Sequence, residues 1–145
     1  MLFSLVFSLF MLVSSVDKSK PNDNKFVKFE IKTVEQSFKS GSTGTMQIFL
    51  KPIKGIHINL DPPMSLNLDK SEAISKIEKL NTPKDKKNDF LDASKPVSAK
   101  FAVAKNSKPG TIKLKGTFTY YYCSDAEGWC NRFKQPVEFS IKITK

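Results

Sequence analysis

Several stretches of this chain alternate apolar and polar residues with a period of two. Val27, Phe29 and Ile31 alternate with Lys28, Glu30 and Lys32. Met46, Ile48 and Leu50 flank Gln47 and Phe49, and Ile56, Ile58 and Leu60 flank His57 and Asn59. Val97, Ala99, Phe101 and Val103 repeat the pattern, with Ser98, Lys100 and Ala102 between them. The longest run places Ile112, Leu114, Gly116, Phe118, Tyr120 and Tyr122 opposite Lys113, Lys115, Thr117 and Thr119. Val137, Phe139, Ile141 and Ile143 close the chain against Glu138, Ser140 and Lys142. In an extended chain successive side chains point to opposite faces, so each run predicts a strand with one face buried.

Turn-forming residues separate the runs. They cluster at 40–44, 52–55, 61–63, 106–110 and 124–128, where Gly, Pro, Asn, Asp and Ser supply turn conformations. One segment, 71–80, is ambiguous. Ser71 with Ile74 and Ile77 suits a short helix, whereas Ala73, Ser75 and Ile77 suit an extended chain. Residues 81–89 are polar and charged with one Pro, and predict a long exposed loop. No internal repeat is apparent. Short strands joined by turns predict an all-β fold, an immunoglobulin-like β-sandwich with antiparallel sheets, over residues 26–145.

The N-terminus has a different pattern. Residues 1–13 are apolar except for Ser4 and Ser8, and fall short of the ~20 residues that a spanning helix needs. They predict a secretory signal peptide over 1–15, with small residues for cleavage at Val13-Ser14-Ser15. No Lys or Arg precedes the apolar run, which leaves the α-amino group as its positive charge. The chain is therefore expected to be exported, to the periplasm or beyond. Residues 16–25 are polar and aperiodic, and predict a flexible leader.

The chain of 145 residues suits one domain. Its net charge is +10, and of 24 basic residues only Arg132 is an arginine. Nucleic-acid readers rely on the bidentate guanidinium, so no nucleic-acid partner is expected. Lysines spread along the chain and interleaved with acids describe a solvated surface, with peripheral contact to an anionic surface as the functional alternative. His57 is the single histidine. That excludes a multi-histidine metal centre, and Cys123 and Cys130 lack zinc-knuckle spacing. Gly41 and Gly44 are not followed by the Lys-Ser/Thr pair of a phosphate loop. No metal or cofactor is expected, and His57 reads as a surface or half-buried strand residue rather than a catalytic base.

The chemistry concentrates in Tyr120-Tyr121-Tyr122-Cys123-Ser124-Asp125-Ala126-Glu127-Gly128-Trp129-Cys130. These are the only two cysteines of a chain expected to be exported, so a disulfide between them is expected. Cys123 ends a strand, a turn follows, and Cys130 opens the return. A loop this small gives a brace of only roughly 2.5 kcal/mol in the chain-entropy model. The residues alone leave two readings open, a structural staple or an exchange site at a loop tip.

This segment resembles the N-terminal periplasmic domain of the thiol:disulfide interchange protein DsbD. In that family an aromatic strand end leads into Cys, an acidic Gly-containing loop and a second Cys, then a last strand; Tyr120 to Cys130 and Val137 to Ile143 follow that order. Gly55-Ile56-His57-Ile58-Asn59-Leu60-Asp61-Pro62-Pro63 is similar to a Gly-x-His-Ile stretch ending in Pro in many such domains. The resemblance covers about 26–144. It departs in one extra residue between the cysteines, and in having no membrane electron-transfer or thioredoxin-like domain after Lys145.

The resemblance implies an electron relay. The Cys123/Cys130 pair would pass electrons from a separate thioredoxin-like or membrane reductase to disulfide-bearing envelope proteins. It also implies an aromatic shield over the disulfide, for which Phe90 is the candidate. Arg132 and Lys134 share a strand face with Cys130, whereas Asp125 and Glu127 lie nearer Cys123. Cations lower a thiol pKa and acids raise it, which assigns Cys130 as attacking and Cys123 as resolving thiol. Tyr121 and Trp129 are candidates for a docking surface, whereas Tyr120 and Tyr122 fall in the core phase. The alternative function is a secreted immunoglobulin-like binding or interaction domain with a purely structural disulfide.

Overall fold

A computed structural model describes residues 23–145. The signal segment 1–15, and the leader up to residue 22, lie outside the described residues. Nine strands and no helix make up the regular structure among these residues. They are β1 (Val27–Thr33), β2 (Phe38–Lys39), β3 (Thr43–Pro52), β4 (Ile56–Asn59), β5 (Ser65–Leu68), β6 (Ile74–Ile77), β7 (Val97–Val103), β8 (Gly110–Ser124) and β9 (Trp129–Thr144).

Two sheets face each other. One has the order β1-β3-β7-β6; the other runs β2-β9-β8-β4, with β5 also pairing β8. In order of appearance this is the immunoglobulin arrangement, with first, second, fifth and fourth strands of that layout in one sheet and third, sixth and seventh in the other. All pairings are antiparallel except β2 with β9, which is parallel. The expected immunoglobulin-like sandwich is thus the observed fold, with that one parallel pair added.

The alternation of the sequence maps onto the core. Met46, Ile48 and Leu50 of β3, Val97, Ala99, Phe101 and Val103 of β7, and Val137, Ile141 and Ile143 of β9 are buried. Leu114, Phe118, Tyr120 and Tyr122 do the same for β8. The core has two halves. Phe38, Phe101 and Phe139 fill one end, whereas Phe118, Tyr120, Tyr122 and Ile58 fill the other, beneath the cysteines. Removing apolar surface from water at ~25 cal/mol per Å² is the main stabilising term for such a sandwich.

The ambiguous segment 71–80 is extended. Ile74–Ile77 pair with β7, with a register shift between Ile74 and Lys76 that fits the imperfect period of their side chains. Loop 81–89 is also more ordered than its charge suggests. Lys84 bridges to Leu91, the Asp85 N–H donates to the Phe90 carbonyl at 2.9 Å, and the Asp92 N–H donates to the Pro83 carbonyl at 2.9 Å. The result is a small hairpin whose charged tip is exposed and whose base carries Phe90. The leader likewise ends earlier than expected. Asn24 is buried, its amide donates to the Tyr120 hydroxyl at 3.0 Å, and its Oδ1 accepts from the Phe26 N–H at 2.9 Å. Burial of the Tyr120 hydroxyl pushes its pKa above the usual phenol value, an effect the Asn24 hydrogen bond partly opposes.

Two local features are testable. Gly116 lets β5 lie close over β8: a Cβ there would meet Asn67 O and, at 2.7 Å, the Leu68 Cα. Gly116→Ala is expected to destabilise the domain by about 1–3 kcal/mol through this backbone clash, read as a lower urea midpoint at unchanged m-value. Asp92 ties the turn that follows the Phe90 hairpin. Its carboxylate meets Lys95 Nζ at 2.8 Å and accepts from the Ser94 hydroxyl at 2.5 Å. The Lys95 hydrogen bond, then that of Ser94, lowers its pKa from 3.8 to about 2. A depressed folded-state pKa means the tie is complete above the unfolded value and is lost as pH falls through about 2. Lys95→Ala should move the Asp92 midpoint back up, as followed by carboxyl NMR titration.

Candidate functional site

The two cysteines sit beside the turn of the β8–β9 hairpin. Register pairs Cys123 directly with Cys130, and Ser124 with Trp129, leaving four residues in the turn. Gly128 takes φ 67°, a left-handed conformation that glycine adopts without cost, and its N–H donates to the Ser124 carbonyl at 2.9 Å. The Glu127 N–H also donates to Ser124 Oγ. This turn closes the ladder and brings the cysteines to a Cα separation of 4.0 Å, where they form the disulfide. The expected pairing is therefore observed.

Strand phase places the disulfide on the face of the sheet away from the core. Tyr120 and Tyr122 point into the sandwich and are buried. Tyr121 and Cys123 alternate with them and share the outer face with Arg132 and Cys130, their partners across the ladder. On the other side of β8, His57 pairs with Cys123 and Asn59 with Tyr121. Phe90 extends this row by bridging to Asn59, while the Leu91 N–H donates to the Ile58 carbonyl at 2.8 Å.

The outer row is nevertheless not uniformly open. Cys123 is only 5% exposed, although it belongs to neither core cluster, whereas Cys130 is exposed. Side chains of the outer face account for the difference. Asn59 Nδ2 donates to Cys123 Sγ at 3.1 Å. The His57 ring stacks on Phe90, with centroids 3.6 Å apart and planes 20° from parallel. His57 Nδ1 lies 3.1 Å from Asp125 Oδ1, an ion-pair distance reached without hydrogen-bond geometry, so Nδ1 has no hydrogen-bond partner. Phe90, His57, Asn59 and Asp125 thus line one side of the bond, next to Cys123. The side next to Cys130 is left to solvent.

Phe90 reaches the site, but its ring lies on His57, and through His57 it borders Cys123. Trp129 does not stand free as a docking surface. It is half-buried, edge-on to Tyr122 at 5.8 Å and 5.2 Å from the Phe26 ring, and its Nε1 donates to Glu127 at 2.5 Å. Tyr121 faces outward and is half-buried beside the disulfide. Arg132 and Lys134 share the face of Cys130 as expected, and both are exposed. The acids of the turn are engaged elsewhere, Asp125 with His57 and Glu127 with Trp129. Burial, more than charge, therefore makes the two sulfurs unequal.

Asn59 is the site residue whose part was missed. Its outward phase beside His57 is visible in the sequence, but its proximity to Cys123 depends on the register of β4 against β8. Among the described residues, no helix is long and apolar enough to cross a membrane.

No family model, curated protein or solved structure matches the chain.

Proposed function

We propose that this chain is an exported thiol–disulfide exchange module that relays electrons through Cys123 and Cys130. The electrons come from a thioredoxin-like or membrane reductase and go to disulfide-bearing envelope proteins. The observation that carries this reading is the inequality of the two sulfurs: one buried and hydrogen-bonded, one open to solvent at a hairpin tip. A staple gains nothing from such asymmetry. An exchange site uses it, because a partner sulfur then has a single line of approach.

The relay runs in two steps. A reductant thiolate attacks Cys130 Sγ; the Cys123–Cys130 bond breaks, and its electron pair leaves on Cys123 Sγ. The reductant's second thiolate attacks its own mixed disulfide and departs oxidised, leaving the dithiol. In the forward direction the Cys130 thiolate attacks a partner disulfide and expels one partner thiolate. Cys123 then attacks Cys130 Sγ and expels the other. Two electrons and two protons reach the partner, and the Cys123–Cys130 disulfide is restored. Phe90 and His57 restrict access to the Cys123 side, and exposed Arg132 and Lys134 favour the thiolate of the reduced Cys130. The lysine-rich surface adds attraction to anionic partners or membranes.

The reduction potential tests the reading. An exchange site should equilibrate with glutathione or thioredoxin buffers, at about −120 to −270 mV, the range of known exchange proteins. A value below about −300 mV would assign the bond a structural role and the chain a binding one. Phe90→Ala should open a second line of attack at Cys123, read as faster reaction of the lone Cys123 thiol with a disulfide reagent in the Cys130→Ser protein, while leaving the equilibrium potential nearly unchanged, because Phe90 screens that side and touches neither sulfur.

A further inference from the structure

We propose that Asn59 governs the charge and proton state of Cys123, and so sets how readily the disulfide opens. The inference rests on the exchange reading and names a residue that acts at its reacting atom. Asn59 Nδ2 donates to Cys123 Sγ at 3.1 Å, while Asn59 Oδ1 is buried without a hydrogen-bond partner. A disulfide sulfur can only accept, so one half of the amide is used and the other is left unmet.

The donating half gains on reduction. When a thiolate attacks Cys130 Sγ, the breaking bond delivers its electron pair to Cys123 Sγ. The amide N–H already points at the sulfur where negative charge develops, and a hydrogen bond to an ionised acceptor is roughly twice as strong as one to a neutral acceptor. A leaving thiol with a lowered pKa departs faster. That hydrogen bond therefore favours opening of the bond. Asn59 is the side chain that donates a hydrogen bond to this sulfur.

The test uses the full mature chain. With Cys130→Ser, the Cys123 thiol titrates alone and its thiolate absorbance reports its pKa. Adding Asn59→Ala should raise that pKa by about one unit, a tenfold smaller thiolate fraction below the midpoint. Asn59→Asp, nearly the same size but lacking the N–H, should raise it at least as far. In the disulfide-bonded protein, Asn59→Ala should slow opening by dithiothreitol several-fold. It should also shift the exchange equilibrium about tenfold toward the disulfide, roughly 30 mV. An unchanged Cys123 pKa in both variants overturns the proposal. So does faster opening of the Asn59→Ala disulfide, which would make Asn59 a screen only. A raised Cys123 pKa in a protein that exchanges with no thioredoxin-like partner would keep this inference and reject the relay.

Discussion

Cys123→Ser is expected to accumulate mixed disulfides with partner proteins, and Cys130→Ser to accumulate almost none. Cys130 is exposed and Cys123 is 5% exposed, so an incoming partner sulfur reaches Cys130 first. Without Cys123 the complex formed at Cys130 has no internal thiol to resolve it and persists. Without Cys130 the remaining thiol lies behind Asn59, His57 and Phe90, where a protein disulfide has no line of attack. In-line displacement needs the attacking and leaving sulfurs to approach freely, so a difference in burial becomes a difference in trapping of at least tenfold. Non-reducing electrophoresis of envelope extracts carrying each variant measures it. Equal trapping would cancel the assignment of roles and keep the exchange chemistry. Partner-linked bands with neither variant would leave the disulfide as a brace.

The proposed division of roles has one support in the sequence and a different one in the fold. Charge pointed to Cys130 through Arg132 and Lys134, and set Asp125 and Glu127 against Cys123. In the folded chain those acids are turned toward His57 and Trp129. What distinguishes the sulfurs is the row His57–Asn59–Phe90 laid beside Cys123, which follows from β4 pairing with β8 and from a hairpin at 83–92. The β4–β8 pairing joins residues more than sixty positions apart, such as Asn59 and Cys123, and no local pattern encodes its register. Alternation within one strand, by contrast, is local. It correctly separated Tyr120 and Tyr122 from Tyr121, and it marked the buried residues of β3, β7 and β8. Local pattern also explains what was not legible. β2 is two residues long, too short for a period to register, and around β6 the spacing of Ser71, Ile74 and Ile77 also suits a helix. The first half of β9 is masked by Arg132, Lys134, Gln135 and Pro136, whose chemistry suggests a loop although the whole strand pairs with β8.

Reducing the disulfide is expected to leave a folded domain that still melts cooperatively, whereas Phe118→Ala is expected to cost more than the bond itself. The bond closes a loop with a sequence separation of 7, and the chain-entropy model gives it roughly 2.5 kcal/mol. It lies outside both core clusters, and the hairpin it joins is held by the pairing of β8 with β9 from Gly110↔Ile143 to Ser124↔Trp129. Breaking it should therefore lower Tm by roughly 10 °C without removing the transition. Phe118 has no exposed surface and lies 5.9 Å from the rings of both Phe29 and Tyr120, where the two sheets meet. Truncation there loses the transfer free energy of the ring and leaves a cavity, together about 3–5 kcal/mol. Domains of this size are stable by only about 5–15 kcal/mol, so this variant should approach the edge of folding at physiological temperature. Urea denaturation of the oxidised, reduced and Phe118→Ala proteins gives the order. If reduction instead costs more than Phe118→Ala, or abolishes the cooperative transition, the sandwich depends on its disulfide. The redox freedom required of a relay would then be lost, because each turnover would unfold the module that carries the electrons.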